Sequence, residues 1–280
     1  MSAIKFGIVL PYGDPRITAR LAKEAEESGW DGIFVGDATW CQDPLIQLAA
    51  AAMATQRIRL GTMVLATPLR QPWQIASTSL ALDYLSNGRL TLGLGTGATW
   101  MGWQAFPDTT TDTRARAEML DETIDILTLM YQRKQFDYEG QHYHPKLTAM
   151  DLMYYPPVPI QQPRIPIWVP GVWPRMKNMR RILKCDGIFP MKMSPEGQFV
   201  EVTPADVCQM RDYILANRSL TTPFDIVAEG KTAGLSRDEA QERLSAWIEA
   251  GATWWVESTW EIPKEEDLIA IIRRGAPQIE

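Results

Sequence analysis

The chain has 280 residues, of which 45% are hydrophobic and 22% charged, and its formal net charge at pH 7 is −6. This composition is typical of a globular protein and excludes a disordered or fibrous chain. The acidic balance argues against a nucleic-acid-binding surface and against a polybasic membrane anchor.

Short apolar runs alternate with helical patterns from one end of the chain to the other. They predict eight strands, at residues 5–10, 32–35, 58–65, 90–94, 165–169, 187–189, 225–228 and 253–257. Most of these runs are continuously apolar, as expected for a parallel sheet that is covered by helices.

The segments between the strands carry helix signals. Asp43-Pro44 and Thr203-Pro204 each place an N-cap before a proline, and Ser236 begins a capping box. One helical face is formed by apolar residues at the helical period: Leu120, Ile124, Leu127 and Tyr131. Strands that alternate with amphipathic helices predict a single α/β domain over residues 1–280, a (β/α)8 TIM barrel.

Residues 136–163 interrupt this alternation. The segment is rich in Tyr, Pro, His and Gln and lies between the fourth helix and the fifth strand. It is longer than the usual connection of about 2–6 residues. Two interpretations stay open at this point, an inserted loop over the barrel mouth and a surface excursion that packs its own aromatic side chains.

The three cysteines, Cys41, Cys185 and Cys208, have no paired spacing, which is typical of a reducing compartment. The first strand follows directly on the amino terminus, so we interpret this end as structure and not as a signal peptide. No apolar run approaches the roughly 18 residues of a membrane helix. We therefore predict a cytoplasmic protein without membrane or nucleic-acid partners.

Barrel enzymes carry their chemistry where strands end and the next loops begin. Gly93, Gly95 and Gly97 at the end of the fourth strand allow close approach of a ligand to the backbone. The G-x-G-x-G spacing differs from the Rossmann fingerprint, so dinucleotide binding of that type is not expected. An alternative is that these glycines serve packing within the barrel.

A second candidate anion site follows the fifth strand. Gly171-Val172-Trp173-Pro174-Arg175 leads into a predicted helix, whose amino terminus and arginine fork suit a bound phosphate. The basic residues further along this helix have a simpler interpretation as a solvated face.

Tryptophan is the one unusual count, with 11 residues. Several follow strand ends and would line a pocket for a flat apolar or aromatic ligand: Trp40, Trp100, Trp103, Trp173 and Trp260. For some of them the alternative is packing of loops onto the barrel rim.

Common catalytic constellations are missing from the sequence. The only histidines are His142 and His144, there is no H-E-x-x-H or paired-cysteine motif, and G-x-S-x-G does not occur. The strand-end carboxylates Asp37, Glu229 and Glu257 leave a hydrolytic barrel open as one hypothesis. The pattern favours a barrel that binds a cofactor.

Several segments in the same order resemble the luciferase-like flavin-dependent oxidoreductases. They are Gly36-Asp37, Asp43-Pro44-Leu45, ATQRIRLGTMV (54–64), LDYLSNGRLTLGLGTG (82–97), IPIWV (165–169) and CDGIF (185–189). The resemblance covers about residues 5–190, and the segment 82–97 is quite specific. The remaining third of the chain agrees only in its alternation of strands and helices.

This resemblance implies a TIM barrel that binds FMN or the deazaflavin coenzyme F420 at its mouth. It implies a cis peptide bond near Met63-Val64 behind the flavin ring, with Asp37 near that ring. Cofactor contacts are implied at the ring and at the anionic tail, from Met63, Val64, Thr96, Gly97, Val172, Trp173 and Arg175. Family members are often dimers, so a homodimer is expected.

Two departures from the family concern acid–base groups. Ala38 stands where many members have His after the aspartate, and Ala98 stands where sugar-phosphate dehydrogenases of the family have Glu. Neither role can therefore be transferred. Proton transfer would come from water, from the flavin, or from Asp37 or Tyr12, which are our candidate catalytic residues.

We predict an oxidoreductase for a small apolar or aromatic substrate, with contacts from Trp40, Trp100, Trp103 and Trp260. The chemistry would be hydride transfer with F420, which is slightly favoured, or monooxygenation with FMN. No metal is expected. The alternatives are a non-catalytic flavin- or ligand-binding barrel and the hydrolytic barrel.

Overall fold

The computed structural model describes residues 4–11, 13–38, 41–105, 110–261 and 264–278. Its frame is a closed barrel of eight parallel strands. In chain order these are β1 (Lys5–Leu10), β2 (Gly32–Val35), β3 (Arg59–Thr62), β4 (Leu90–Gly95), β5 (Ile167–Trp173), β6 (Gly187–Met193), β7 (Asp225–Gly230) and β8 (Trp254–Glu257). Because β8 pairs in parallel with β1, the sheet closes and the predicted TIM barrel is confirmed.

The strands differ from the prediction mainly at the mouth. The predicted third strand, 58–65, is divided: β3 ends at Thr62 and a two-residue strand, Leu65–Ala66, pairs with the end of β4. Between them the Met63-Val64 peptide bond is cis, as the resemblance implied. β5, β6 and β7 extend further toward the mouth than predicted.

Helices cover the outside of the barrel. They are α1 (Pro15–Glu27), α2 (Pro44–Ala54), α3 (Pro72–Leu85), α4 (Thr113–Tyr131), α5 (Met176–Ile182), α6 (Pro204–Asn217), α7 (Arg237–Ala250) and α8 (Glu265–Arg274). The predicted N-caps are confirmed, since Asp43, Thr203 and Ser236 each accept a hydrogen bond from a backbone N–H of the first turn. The predicted face of α4 is buried, with Leu120, Ile124, Leu127 and Tyr131 at most 1% exposed.

Alternation along the strands divides the core into two clusters. Outward side chains pack under the helices, for example Ile8, Leu60 and Ile226. Inward side chains form a barrel-interior cluster: Val9, Phe34, Trp168, Phe189, Val227, Trp254 and Val256. Aromatic rings fill this interior, and Trp168 lies 5.7 Å from Phe34 and 5.6 Å from Trp254 between ring centroids. The barrel is therefore solid below its mouth.

The contacts of segment 136–163 distinguish between its two interpretations, a cover over the barrel mouth and a surface excursion. It contains a two-stranded ribbon, Phe136–Asp137 with Lys146–Leu147, and a short 3-10 helix. Glu122 of α4 accepts the backbone N–H groups of residues 141–143, and Asp83 of α3 accepts those of residues 160 and 161. Gln161 also donates to the Leu90 carbonyl, at the end of the barrel opposite the mouth. These contacts support the surface excursion, and the expectation of a cover over the mouth is wrong.

Among the described residues, no helix combines the length and the apolar character needed to cross a bilayer.

Candidate active site

The mouth contains an apolar shelf beside the end of β3. Met63 and Val64 are partly buried and pack on the barrel-interior cluster, together with Trp260. The Met63 backbone N–H donates to the Val35 carbonyl at 2.8 Å, which fixes the shelf to β2. Such a surface suits one face of a flat apolar ring. The predicted ring contacts of Met63 and Val64 stay a prediction.

Two glycines in the last part of β4 are required by packing. A Cβ on Gly93 would lie 1.9 Å from the Thr62 carbonyl oxygen, and one on Gly95 would lie 2.5 Å from Val64 Cγ2. These contacts support the alternative that glycine here serves the barrel itself. The same packing brings the β4 backbone directly behind the Val64 side chain, so the glycines also shape the shelf.

Arg116 of α4 holds the loop that contains Thr96 and Gly97. Its Nη1 donates to both carbonyl oxygens at 3.0 Å, and its guanidinium carbon lies 5.4 Å from the centroid of the Trp103 ring. The side chain is buried, which lowers the pKa of Arg116, although Asp112 opposes this shift. Sequence reasoning missed Arg116, because nothing in the helix pattern distinguishes it from a solvated arginine.

Trp103 and Trp100, two of the predicted substrate contacts, differ in their exposure to solvent. Trp103 is only 1% exposed and packs under Gly97, whose Cβ would lie 2.2 Å from Trp103 Cζ2. This burial supports the alternative for Trp103, in which the indole packs the loop onto the barrel rim, and a substrate contact stays a prediction. Trp100 is 79% exposed at the same rim and stays a candidate contact.

Asp37 is engaged in an ion pair. Arg70 donates to its two carboxylate oxygens at 2.5 and 3.3 Å, and the Ala66 N–H donates to it at 2.9 Å. Arg70 also contacts Asp43 at 3.1 Å. Burial alone would lower the pKa of Arg70, but these two carboxylates outweigh burial and raise it. Asp37 thus joins the end of β2 to the segment that follows the shelf.

Arg70 was also missed from the sequence, where only its place shortly after a strand end could have drawn attention to it.

The nearby Cys41 thiol has a raised pKa, first because of burial and second because of the charge of Asp37. The arrangement therefore favours a neutral thiol at Cys41, next to the ion pair of Asp37 with Arg70. A catalytic role of Asp37 stays a prediction.

A basic cavity of about 690 Å³ lies beside the ends of β5 and β6. Trp173, Arg175, Lys192 and Asp206 are among its lining residues. Lys192 pairs with Asp206 at 2.8 Å, whereas the Arg175 Nε donates only to the Met193 sulfur at 3.3 Å. The cavity has one cation in excess of its carboxylate, which suits an anionic group.

Two further predicted cofactor contacts, Trp173 and Val172, lie at or next to the wall of this cavity. Trp173 donates from Nε1 to Gln209 at 3.1 Å and stacks edge-on against Tyr213, so its indole is fixed at the wall. Val172 is buried next to it. Lys192 was not singled out from the sequence, although it lies three residues beyond a predicted strand end.

The carboxylates of β7 and β8 lie on opposite sides of the barrel wall. Glu257 is 1% exposed and accepts hydrogen bonds from Thr232, Ala233 and Trp255, so it closes a loop outside the barrel. Glu229 follows the inward-facing Val227 by two positions and is exposed in the mouth. The two carboxylates cannot act as a pair, which argues against the hydrolytic hypothesis.

Tyr12 and Trp40, predicted as a catalytic and a substrate-binding residue, lie outside the described residues. Trp260 is described, and its Nε1 donates to Glu229 Oε1 at 2.7 Å. The structure thus brings the shelf, the Arg116-held loop, the basic cavity and the Trp260–Glu229 pair to one end of the barrel.

Known proteins are similar in sequence to part of this chain. A Mycobacterium tuberculosis protein named as a coenzyme F420-dependent oxidoreductase is 33% identical over 207 residues, 69% of this chain and 57% of that protein. The 4-hydroxyprotoasukamycin monooxygenase of Streptomyces nodosus is 36% identical over 143 residues, 46% of this chain and 38% of that enzyme. The chain thus spans about half the length of these relatives.

A solved structure shows the same fold. The oxygenating component of 3,6-diketocamphane monooxygenase from Pseudomonas putida, in complex with FMN, superposes with a TM-score of 0.72 at 17% identity and covers 99% of both chains. The family model described as luciferase-like monooxygenase matches residues 4–269. The chain belongs to this luciferase-like family of flavin- and F420-dependent oxidoreductases and monooxygenases.

Proposed function

We propose that this protein binds a flavin-type cofactor in the barrel mouth, with coenzyme F420 favoured over FMN, and acts on a small apolar or aromatic substrate. The observation that carries this proposal is the combination of an apolar shelf at Met63 and Val64 with a basic cavity at Arg175 and Lys192. A flavin or deazaflavin has these two characters, a flat ring and an anionic tail.

The residues of the mouth would hold such a cofactor at two ends. Met63 and Val64 would back the ring, while Arg175 and Trp173, with Val172 behind them, would face the tail. Thr96 and Gly97 have their carbonyls turned to Arg116, which places a buried cation behind their loop. A flavin or deazaflavin supplies hydride transfer when it is bound. The protein would orient the substrate and exclude water around it.

Asp37 has a positioning role in this proposal. Its carboxylate is 5% exposed and bonded to Arg70 and to the Ala66 N–H, so it would have to leave these partners before it moved a proton. It holds the backbone that follows Met63 and Val64 against β2. Tyr12 remains the other candidate for proton transfer.

The preference for F420 rests on two supports. The relative that is matched over 207 residues is named as an F420-dependent oxidoreductase. In addition, Ala38 replaces the histidine that many family members have after the aspartate. Oxygen chemistry with FMN is the second candidate, and the similarity to a 4-hydroxyprotoasukamycin monooxygenase favours it. We place the enzyme in the cytoplasm because of its unpaired cysteines.

Cofactor titration tests the proposal. The purified protein is titrated with F420 and with FMN, each oxidised and reduced, and binding is followed by absorbance and fluorescence. We expect one of them to bind, and Arg175→Glu to weaken its affinity at least tenfold by reversing a charge that faces the anionic tail.

Arg180→Glu is the matched control, because Arg180 is an exposed arginine of the same short helix and does not line the cavity. Equal affinities of both variants and the wild type would contradict the basic cavity as the tail site. Failure of all four cofactor forms to bind would overturn the proposal. Stoichiometric binding without turnover by any donor and acceptor would support the non-catalytic alternative.

A further inference from the structure

Glu229 is an inward-facing carboxylate of the mouth. Val227 belongs to the barrel-interior cluster and Ala228 to the outer core, so alternation turns Glu229 to the same side as Val227. It is the next inward position toward the mouth along β7, and its side chain is exposed there. No step of the proposed function uses this residue.

Trp260 fixes the position of this carboxylate. Its indole Nε1 donates to Glu229 Oε1 at 2.7 Å, and the ring packs on the barrel-interior cluster. One carboxylate oxygen is therefore held by a partly buried indole. The hydrogen bond leaves the second oxygen able to accept from a ligand.

Glu229 has no cationic partner within the part of the chain that the structure describes. No lysine, arginine or histidine nitrogen of that part lies within 4.0 Å of it, and the adjacent Lys231 pairs with Glu261 at 3.3 Å. A cavity of about 320 Å³ lies beside Glu229, and its lining contains a second carboxylate, Glu201, and one cation, Lys231, which Glu261 neutralises. This side of the mouth therefore favours a positive charge.

Glu229 lies across the barrel from the apolar shelf of Met63 and Val64. β3 and β7 are four strands apart in a ring of eight, so they face each other across the barrel. A ring on Met63 and Val64 would have Glu229 opposite its free face, where a substrate lies. The mouth is polarised, with Arg175 and Lys192 at β5 and β6 and the unpaired carboxylate at β7.

We propose that Glu229, held by Trp260, binds a protonated amine or another cationic N–H group of the substrate, so that the preferred substrates are apolar or aromatic organic cations. The inference rests on the proposed function, since it places the substrate on the free face of a cofactor ring. Ammonium–carboxylate bonds are charge-assisted and therefore stronger than bonds between neutral groups.

Binding of three probes of similar size and different charge tests this inference. Benzylammonium, benzyl alcohol and benzoate are titrated at pH 7 into the protein with its cofactor bound and without it, and dissociation constants are obtained by NMR. We expect the ammonium probe to bind about tenfold more tightly than the alcohol, and benzoate to bind most weakly.

Glu229→Gln should reduce the preference for the ammonium probe to within about twofold, because the amide keeps the size and loses the charge. Glu229→Asp, which keeps the charge, should retain part of the preference. Glu242→Gln is the matched control, since it removes an exposed carboxylate of α7 that does not line the cavity. Thermal melting checks that each variant is folded.

A wild type that binds the ammonium and alcohol probes equally, or a Glu229→Gln variant that keeps the preference, would overturn the inference. The cofactor titration of the same samples is a separate readout. If no cofactor binds to any of the proteins, the oxidoreductase proposal fails. If the cofactor binds normally and the ammonium preference does not depend on Glu229, only the present inference fails.

Discussion

Single carboxylates hold the loops of this barrel by accepting several backbone N–H groups at once. Glu26 accepts from residues 56–58, Glu122 from residues 141–143 and Glu257 from residues 232 and 233. Each of these carboxylates joins a helix or strand to a segment that is distant in the sequence. Because several donors converge on one carboxylate, its loss would leave several backbone N–H groups without a partner.

Glu26 gives the clearest test at this scale. Burial alone would raise the pKa of Glu26, but hydrogen bonds from Ile58, Arg57 and Gln56 outweigh burial and lower it below the ordinary 4.5. A carboxyl whose pKa is lower in the folded state stabilises the protein above its unfolded pKa, and this contribution disappears as pH falls through the folded pKa. We expect Glu26→Gln to reduce the free energy of unfolding by about 1–2 kcal/mol at neutral pH.

Urea denaturation over a pH series measures this effect, and the difference from the wild type should shrink steadily below pH 4.5. Glu242→Gln, at an exposed position of α7, is the control and should change the free energy of unfolding by less than about 0.5 kcal/mol. A Glu26→Gln penalty that is the same at acid and neutral pH would show that charge is not its cause.

Sequence alone places residues such as Asp37 and Arg175 at strand ends, because continuous apolar runs mark where the strands are. It does not show their partners. The Asp37–Arg70 pair joins positions that are 33 residues apart, and Arg116 reaches Thr96 from the next helix. Such pairings depend on how the loops turn, which no local pattern encodes. For the same reason the sequence does not show that Trp103 is buried.

At the scale of elements, the loop after β4 and the start of α4 form one unit. Gly97 has a φ of +72°, and its α carbon is packed against the Trp103 ring, which in turn lies against Arg116. Arg116 returns to the loop by its hydrogen bonds to Thr96 and Gly97. A change at Gly97 is therefore expected to reach the Arg116 side chain.

Gly97→Ala tests this unit. The left-handed backbone and a Cβ placed 2.2 Å from Trp103 Cζ2 should together cost about 2–4 kcal/mol of folding free energy. Gly234→Ala is a matched control, because Gly234 has a φ of +92° with nothing within 4 Å of its Cβ. It should cost only about 1–2 kcal/mol. Denaturation of both variants gives the difference, and equal losses would mean that Trp103 moves away freely.

The elements themselves were largely predictable, and the exceptions have identifiable causes. Buried strands are continuous apolar runs, and the N-caps have specific side chains before proline. β5 and β6 were predicted too short because Pro170 and Pro190 interrupt the apolar run while the backbone stays extended. The course of residues 136–163 could not be predicted because it depends on Asp83 and Glu122. These two carboxylates are buried and accept backbone N–H groups of the segment, whereas from the sequence a charged helix residue is expected to be solvated.

At the scale of the whole molecule, charge is absent from one face. α2 contains no charged residue, and the only one in α3 is the fully buried Asp83. The two helices are neighbours and expose large apolar side chains: Ile46, Met53, Trp73, Tyr84 and Leu85. Ala81 is an exposed small residue of α3, and its size would allow close approach of another helix. In a chain with 22% charged residues, such a face is typical of an interface.

We propose that a second copy of this chain covers the α2–α3 face in a homodimer. A two-fold interface pairs a face with itself, and an uncharged face does so without like-charge repulsion in a protein of net charge −6. Ala81→Glu would place two carboxylates near the contact, so light scattering should show a fall from about twice 31.6 kDa to 31.6 kDa. Leu215→Glu adds the same charge at an exposed apolar position of α6 and should leave the dimer intact. A monomeric wild type, or a dimeric Ala81→Glu variant, would contradict this arrangement.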